Sequence, residues 1–203
     1  LGLAERRLGE FLQGIDRQSL VLSTKVGRLL ERSPDGAVTG ARFDYSYSGA
    51  LQSLEESLRR LQVDSVDLVL IHDVSPRWHG DALERRYAEA MEGTYRALAE
   101  LHSSGAVKAV GVGVNDWAIL ERFARDGDFD CFMLAGRYTL LEQGGLDSFL
   151  PRAEAAGVSV LLAAPFNSGI LVTGPVDGAT YNYLSAPHEV LERVRGISRV
   201  CHA

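Results

Sequence analysis

The sequence predicts an α/β fold: a (β/α)8 barrel of which about five parallel strands are present. Helical and strand patterns alternate along the chain, implying a parallel sheet with right-handed crossovers. The strand patterns are nearly continuous apolar runs, as burial on both faces of such a sheet requires. No Gly-x-Gly-x-x-Gly follows a strand and opens a helix, which argues against a doubly wound nucleotide-binding sheet. Gly111-Val112-Gly113-Val114 comes nearest, but it lies inside a strand pattern and lacks the third glycine. Five strands cannot close a barrel. The 203 residues, read as one domain over 1–203, are therefore expected to be part of a longer chain.

The elements follow in order. Ala4 to Leu12 carries Leu8, Phe11 and Leu12 at helical spacing. Ser19 to Val26 is a β-rich run. Glu31 to Arg42 is polar and contains the turn signal Ser33-Pro34-Asp35-Gly36, predicting a surface loop. Ala50, Leu51, Leu54, Leu58 and Leu61 mark an amphipathic helix with Ser48 as its N-cap. A strand at Val66 to Ile71 and a loop at Val74 to Gly80 lead to a helix from Ala82 to His102, with Gly105 suited to a left-handed cap. Strands are then expected at Val107–Val114, Phe129–Ala135 and Val158–Ala164. Helices are expected at Asp116–Arg125, Leu146–Ala156 and Pro187–Val200.

Composition narrows the function classes. The chain is 46% hydrophobic and 24% charged, with a formal charge of -6 and a pI near 5.4. That balance argues against nucleic acid or an anionic membrane as the main partner. Cys131 and Cys201 lie outside any metal-ligand spacing, and Cys131 opens an apolar run, so a buried free thiol is expected there. No run approaches the roughly 18 apolar residues that cross a bilayer, and a cytoplasmic location is expected. Oligomeric state is not legible.

Chemistry is expected at the carboxyl ends of the strands. The apolar run Val21-Leu22-Ser23-Thr24 stops at Lys25, and Val66-Asp67-Leu68-Val69-Leu70-Ile71 stops at His72. Lys25 is read as a surface lysine, as a Schiff-base nucleophile, or as a charge that lowers the pKa of a neighbouring acid. His72, placed in the same layer, is read as a structural histidine or as a neutral donor to a substrate oxygen. Asp73 is expected on the other side of its strand, toward a helix or loop. Asn115 ends another strand, either matching a carboxamide or capping the helix that follows. His79, His102, His188 and His202 are read as loop or helix-surface residues. Pro165-Phe166-Asn167-Ser168-Gly169 follows the fifth strand, either as an ordinary loop or as a turn offering N–H groups to phosphate.

Together these segments resemble the aldo-keto reductase family. Ser23-Thr24-Lys25-Val26-Gly27 is similar to its strand-lysine motif. Ser53 to Leu61 followed by Val66 to His72 is similar to its helix, strand and histidine. Lys108-Ala109-Val110-Gly111-Val112 and Ala164-Pro165-Phe166-Asn167-Ser168-Gly169 are similar to two further blocks. Phe43-Asp44-Tyr45-Ser46-Tyr47 and Leu134-Ala135-Gly136-Arg137-Tyr138 are most similar to the branch that oxidises aldoses such as L-fucose, or the hemiacetal of pyridoxal, to lactones. The resemblance implies a (β/α)8 barrel using NADP or NAD on a small carbonyl or sugar substrate. Lys25 and His72 would be two of four catalytic residues, with Asn115 and residues 165–169 binding cofactor. The other two, a tyrosine and an aspartate, would precede Leu1, and the eighth strand and adenosine-phosphate segment would follow Ala203. The family's Ser-Asn is offset to Val114-Asn115, and its glutamine and stacking tyrosine become Ala135 and Ala163. A catalytically silent, regulatory relative and a Schiff-base lyase are the competing expectations.

Overall fold

The computed structural model describes residues 2–201, so His202 lies outside the described residues. Chain order begins with α1 (Leu3–Leu12), β1 (Ser23–Val26), β2 (Arg28–Arg32), β3 (Val38–Phe43), α2 (Tyr47–Leu61), β4 (Leu68–His72), α3 (Pro76–His79), α4 (Leu83–Glu89) and α5 (Arg96–Ser103). It continues with β5 (Ala109–Val114), α6 (Trp117–Asp126), β6 (Cys131–Ala135), α7 (Phe149–Ala155), β7 (Ser159–Ala163), α8 (Ile170–Thr173), β8 (Thr180–Tyr181), β9 (Leu184–Ser185) and α9 (His188–Cys201). Strands β1, β4, β5, β6 and β7 form one parallel sheet in that spatial order. It is the incomplete barrel the alternation predicts.

The sheet separates two cores. Side chains at Val26, Val69, Ile71, Val112 and Phe132 point outward and join the helices in the main apolar cluster. Leu68, Leu70 and Cys131 form a separate cluster on the opposite, inner face. Cys131 is the buried free thiol expected. Strand β7 departs from the expectation of burial on both faces: Leu161 is 41% and Leu162 48% exposed. Among the described residues it is the last strand of the sheet, paired with β6 alone.

Three local readings change. The loop expected over Glu31–Arg42 is the antiparallel hairpin β2–β3. Its turn is the Ser33–Gly36 segment, with Gly36 at φ 85 and its N–H donating to Ser33 O at 2.8 Å. Polar composition hid an alternation in which Leu29 alone is fully buried. The cap of α2 is Ser46, whose hydroxyl accepts from Gly49 N at 3.0 Å, and not Ser48. Finally, the single helix over Ala82–His102 is split by a π-helical segment, Ala90–Tyr95, between α4 and α5. There Thr94 Oγ1 donates to Tyr45 O at 2.7 Å. A Cβ on Gly93 would sit 2.4 Å from the same oxygen, so the widened turn accommodates a close backbone crossing. Gly105 takes the left-handed cap as expected (φ 76).

Candidate active site

Lys25 and His72 line one cavity of about 560 Å³ at the carboxyl ends of the strands, with Arg28, Asp73, Asn115 and Trp78 among its walls. They are not in one layer of the sheet. Lys25 pairs with Leu70, whereas His72 pairs with Gly113 one layer higher. The lysine reaches that layer because Gly113 has no side chain: a Cβ there would lie 3.0 Å from Lys25 Cε. Gly111 is tighter still, its missing Cβ falling 1.8 Å from Cys131 O. The Gly-x-Gly pair thus clears the inner face of the sheet beneath the lysine.

Burial, the largest effect, lowers the pKa of Lys25, opposed by the charges of Asp73 and Glu5. Among the described residues Lys25 has no ion-pair partner within 4 Å. Burial also lowers His72, to about 3, helped by the Lys25 and Arg28 charges, so the imidazole is neutral at physiological pH. Its Nε2 lies 3.3 Å from Asp73 Oδ2.

Asp73 is where sequence alternation misleads. The residue after an inward His72 should point outward, but Asp73 adopts a left-handed backbone (φ 57), a conformation aspartate tolerates. That turn brings its carboxylate into the cavity beside His72. Burial raises its pKa against the opposing charges of Arg28, Lys25 and Arg77. Arg28 also escaped sequence reasoning. Gly27 (φ 94) turns the chain out of β1, with the Tyr45 ring 2.7 Å from where its Cβ would be. Arg28 then lies over Trp78 (4.7 Å) and Phe43 (5.3 Å), with Nη1 3.5 Å from Asp73 Oδ2. The positive-φ requirement at Gly27 was the available signal.

Behind the strand end, Tyr45 is fully buried. Its hydroxyl donates to His72 O at 2.8 Å, which leaves it to accept from His79 Nε2 at 3.0 Å. His79, expected on the surface, is half-buried against Phe43 and Tyr45.

Asn115 lies at the cavity wall. It is not the helix cap: Asp116 Oδ1 accepts from Ile119 N at 3.0 Å and caps α6. Pro165, Phe166, Asn167, Ser168 and Gly169 form a turn beyond β7 that does not line the cavity, although Ala163 and Ala164 before it do. Within the turn, Asn167 N donates to Ala164 O and Gly169 N to Phe166 O. Of the N–H groups expected to face phosphate, these two are engaged internally. Asn167 is 3% exposed; its Nδ2 donates to Gly136 O at 3.0 Å, while its Oδ1 is buried without a partner.

A nicotinamide group fits these residues. Gly113, Ala135, Ala163 and Ala164 leave open space beside Met133 in the cavity lining, and Asn115 offers an amide next to it. The described residues contain no cluster of His, Cys, Asp and Glu able to hold a metal ion, and no helix long and apolar enough to cross a membrane.

A parallel barrel sheet that brings a half-buried lysine and a neutral histidine to its carboxyl end is the arrangement of the aldo/keto reductases, and the chain belongs to that family, whose sequence model matches residues 1–202. It is 37% identical over 216 residues to D-threo-aldose 1-dehydrogenase of a Pseudomonas species, covering 99% of this chain and 63% of that protein. It is 34% identical over 220 residues to pyridoxal 4-dehydrogenase of Microbacterium luteolum, covering 98% and 64%. These are members of the branch that the motifs resemble. Among solved structures, the holo form of an aldo-keto reductase from Bacillus halodurans superposes with a TM-score of 0.73 at 26% identity, covering 96% of this chain and 59% of that one. The chain thus spans less than two thirds of the length of each of these relatives.

Proposed function

We propose that this chain forms the cleft of an NADP- or NAD-dependent oxidoreductase acting on a small carbonyl or sugar substrate, with an aldose or the hemiacetal of pyridoxal oxidised to a lactone. The observation that carries the reading is the convergence of Lys25 and neutral His72 in one cavity above the small residues Gly113, Ala135 and Ala163. A nicotinamide bound there would supply or accept the hydride. His72, uncharged, donates an N–H to the substrate oxygen and orients it. Lys25 holds a positive charge beside the group that exchanges the proton and stabilises its conjugate base. Asn115 would hold the carboxamide, and the turn Pro165, Phe166, Asn167, Ser168 and Gly169, which lies beyond the cavity lining, would hold the cofactor's phosphates. Support comes from the family membership and from the two dehydrogenases to which the chain is similar.

The test is NADPH fluorescence on the purified full-length protein together with aldose-dependent reduction of NADP and NAD. Lys25→Met should lower kcat by about 10²- to 10⁴-fold while NADPH binding stays within about threefold. Full turnover by that variant would remove Lys25 from the mechanism. An adduct trapped on Lys25 by borohydride would move the assignment to imine chemistry instead. NADPH binding without turnover of any aldose or aldehyde would leave a silent, ligand-binding relative.

A further inference from the structure

Arg28 and Asp73 occupy the cavity without completing each other. Their contact, Nη1 to Oδ2 at 3.5 Å, is long for a charge-assisted bond. Arg28 Nε is buried and has no acceptor among the described residues. Asp73 Oδ2 lies 3.3 Å from His72 Nε2 and 3.5 Å from Arg28 Nη1, and Oδ1 has no hydrogen-bond donor among the described residues. The guanidinium packs against the adjoining rings of Phe43 and Trp78, which restrain its position before any ligand arrives. The result is an unsatisfied donor and a spare acceptor, one contact from the histidine.

Resting on the function proposed above, we propose that Arg28 and Asp73 form a specificity subsite for a hydroxyl on the carbon next to the reacting carbon. The substrate class is then a neutral polyhydroxylated hemiacetal or α-hydroxy carbonyl compound, rather than a simple aldehyde. A hydroxyl is the group that serves both partners: its oxygen accepts from the guanidinium and its hydrogen is donated to the carboxylate. A simple aldehyde presents nothing to the cavity-facing guanidinium or to the spare carboxylate oxygen, the condition under which a polar site discriminates strongly. A carboxylate or phosphate would suit Arg28 but is repelled by Asp73. The position follows from His72: the oxygen held by the histidine is the reacting one, and Asp73 is its immediate neighbour.

The experiment follows tryptophan emission, since Trp78 lines the cavity while Trp117 packs against Gly144 and Gly145 and serves as a fixed background. The protein is titrated with both enantiomers of galactose and of 2-deoxygalactose, and with inorganic phosphate. Galactose of one hand should bind at least about tenfold tighter than its 2-deoxy counterpart. Arg28→Met should abolish that difference by weakening galactose alone. Asp73→Asn should abolish it too and should gain about tenfold in phosphate binding, so a folding defect in one variant leaves the other decisive. Equal binding of the two sugars by the unmodified protein, or displacement of galactose by phosphate, would overturn the subsite. A protein that binds NADPH yet gives no sugar response overturns the subsite alone. Absence of both responses overturns the oxidoreductase reading as well.

Discussion

Removing the His72 imidazole should change how stability depends on pH. The ring's pKa in the folded state is about 3, held there first by burial and then by the Lys25 and Arg28 charges, against about 6.5 in the unfolded chain. A depressed histidine leaves stability undiminished well above pH 6.5. As pH falls from 6.5 toward 3, the unfolded state takes up a proton that the folded state refuses, and stability is lost progressively across that window. Integrating between the two values gives a loss of about 2 kcal/mol by pH 5, with about 0.2 kcal/mol already lost at pH 7. This is an upper limit, because 29% of the side chain still meets solvent. The assay is urea denaturation of the unmodified protein and His72→Gln at pH 7, 6 and 5. The difference between the two proteins cancels every other titrating group whose environment the substitution leaves alone. The unmodified protein should lose up to about 2 kcal/mol more than the variant between pH 7 and 5. Parallel curves within about 0.3 kcal/mol would refute a neutral, desolvated imidazole, and with it the donor role proposed for His72.

Three further outcomes follow from packing and charge. Gly111→Ala places a Cβ 1.8 Å from Cys131 O, a backbone atom that cannot swing away; the variant should lose at least about 3 kcal/mol, measured as a fall in urea midpoint at constant slope. Asp67 is buried and accepts from Leu22 N and Arg17, with Lys108 Nζ 2.8 Å away, and these partners outweigh burial to hold its pKa well below the usual carboxylate range. Asp67→Asn should therefore cost about 2 kcal/mol at pH 7, with the deficit shrinking as pH falls below about 3.8, where the unfolded carboxylate takes up its proton. Tyr45→Phe leaves His72 O without its phenolic donor and should cost about 1–2 kcal/mol in thermal or chemical denaturation; an unchanged midpoint would show that the bond does not brace the strand end.

The alternation of helices and strands was legible because each apolar run carries its own periodicity, and the ends of the runs marked Lys25 and His72 without any structure. The hairpin β2–β3 was not legible, because a two-stranded ribbon with Leu29 as its one fully buried strand residue looks polar in composition. The break in the helix between α4 and α5 was equally hidden, since the crossing at Tyr45 O that accompanies it comes from about fifty residues away. Asp73 was assigned to the wrong side because strand alternation holds only while φ stays extended, and here it does not.

What the sequence determined by itself is the order of the elements, the class of sheet and two residues of the cleft, all set by local pattern and by burial along single segments. Tertiary structure decided the rest. Gly113 became space for a lysine from another strand, Gly27 and Asp73 became turns into the cavity, and Arg28 became a buried donor beside a half-used carboxylate. Each depends on the register between strands far apart in the chain. No single segment encodes that register, and the packing of side chains on the two faces of the sheet fixes it.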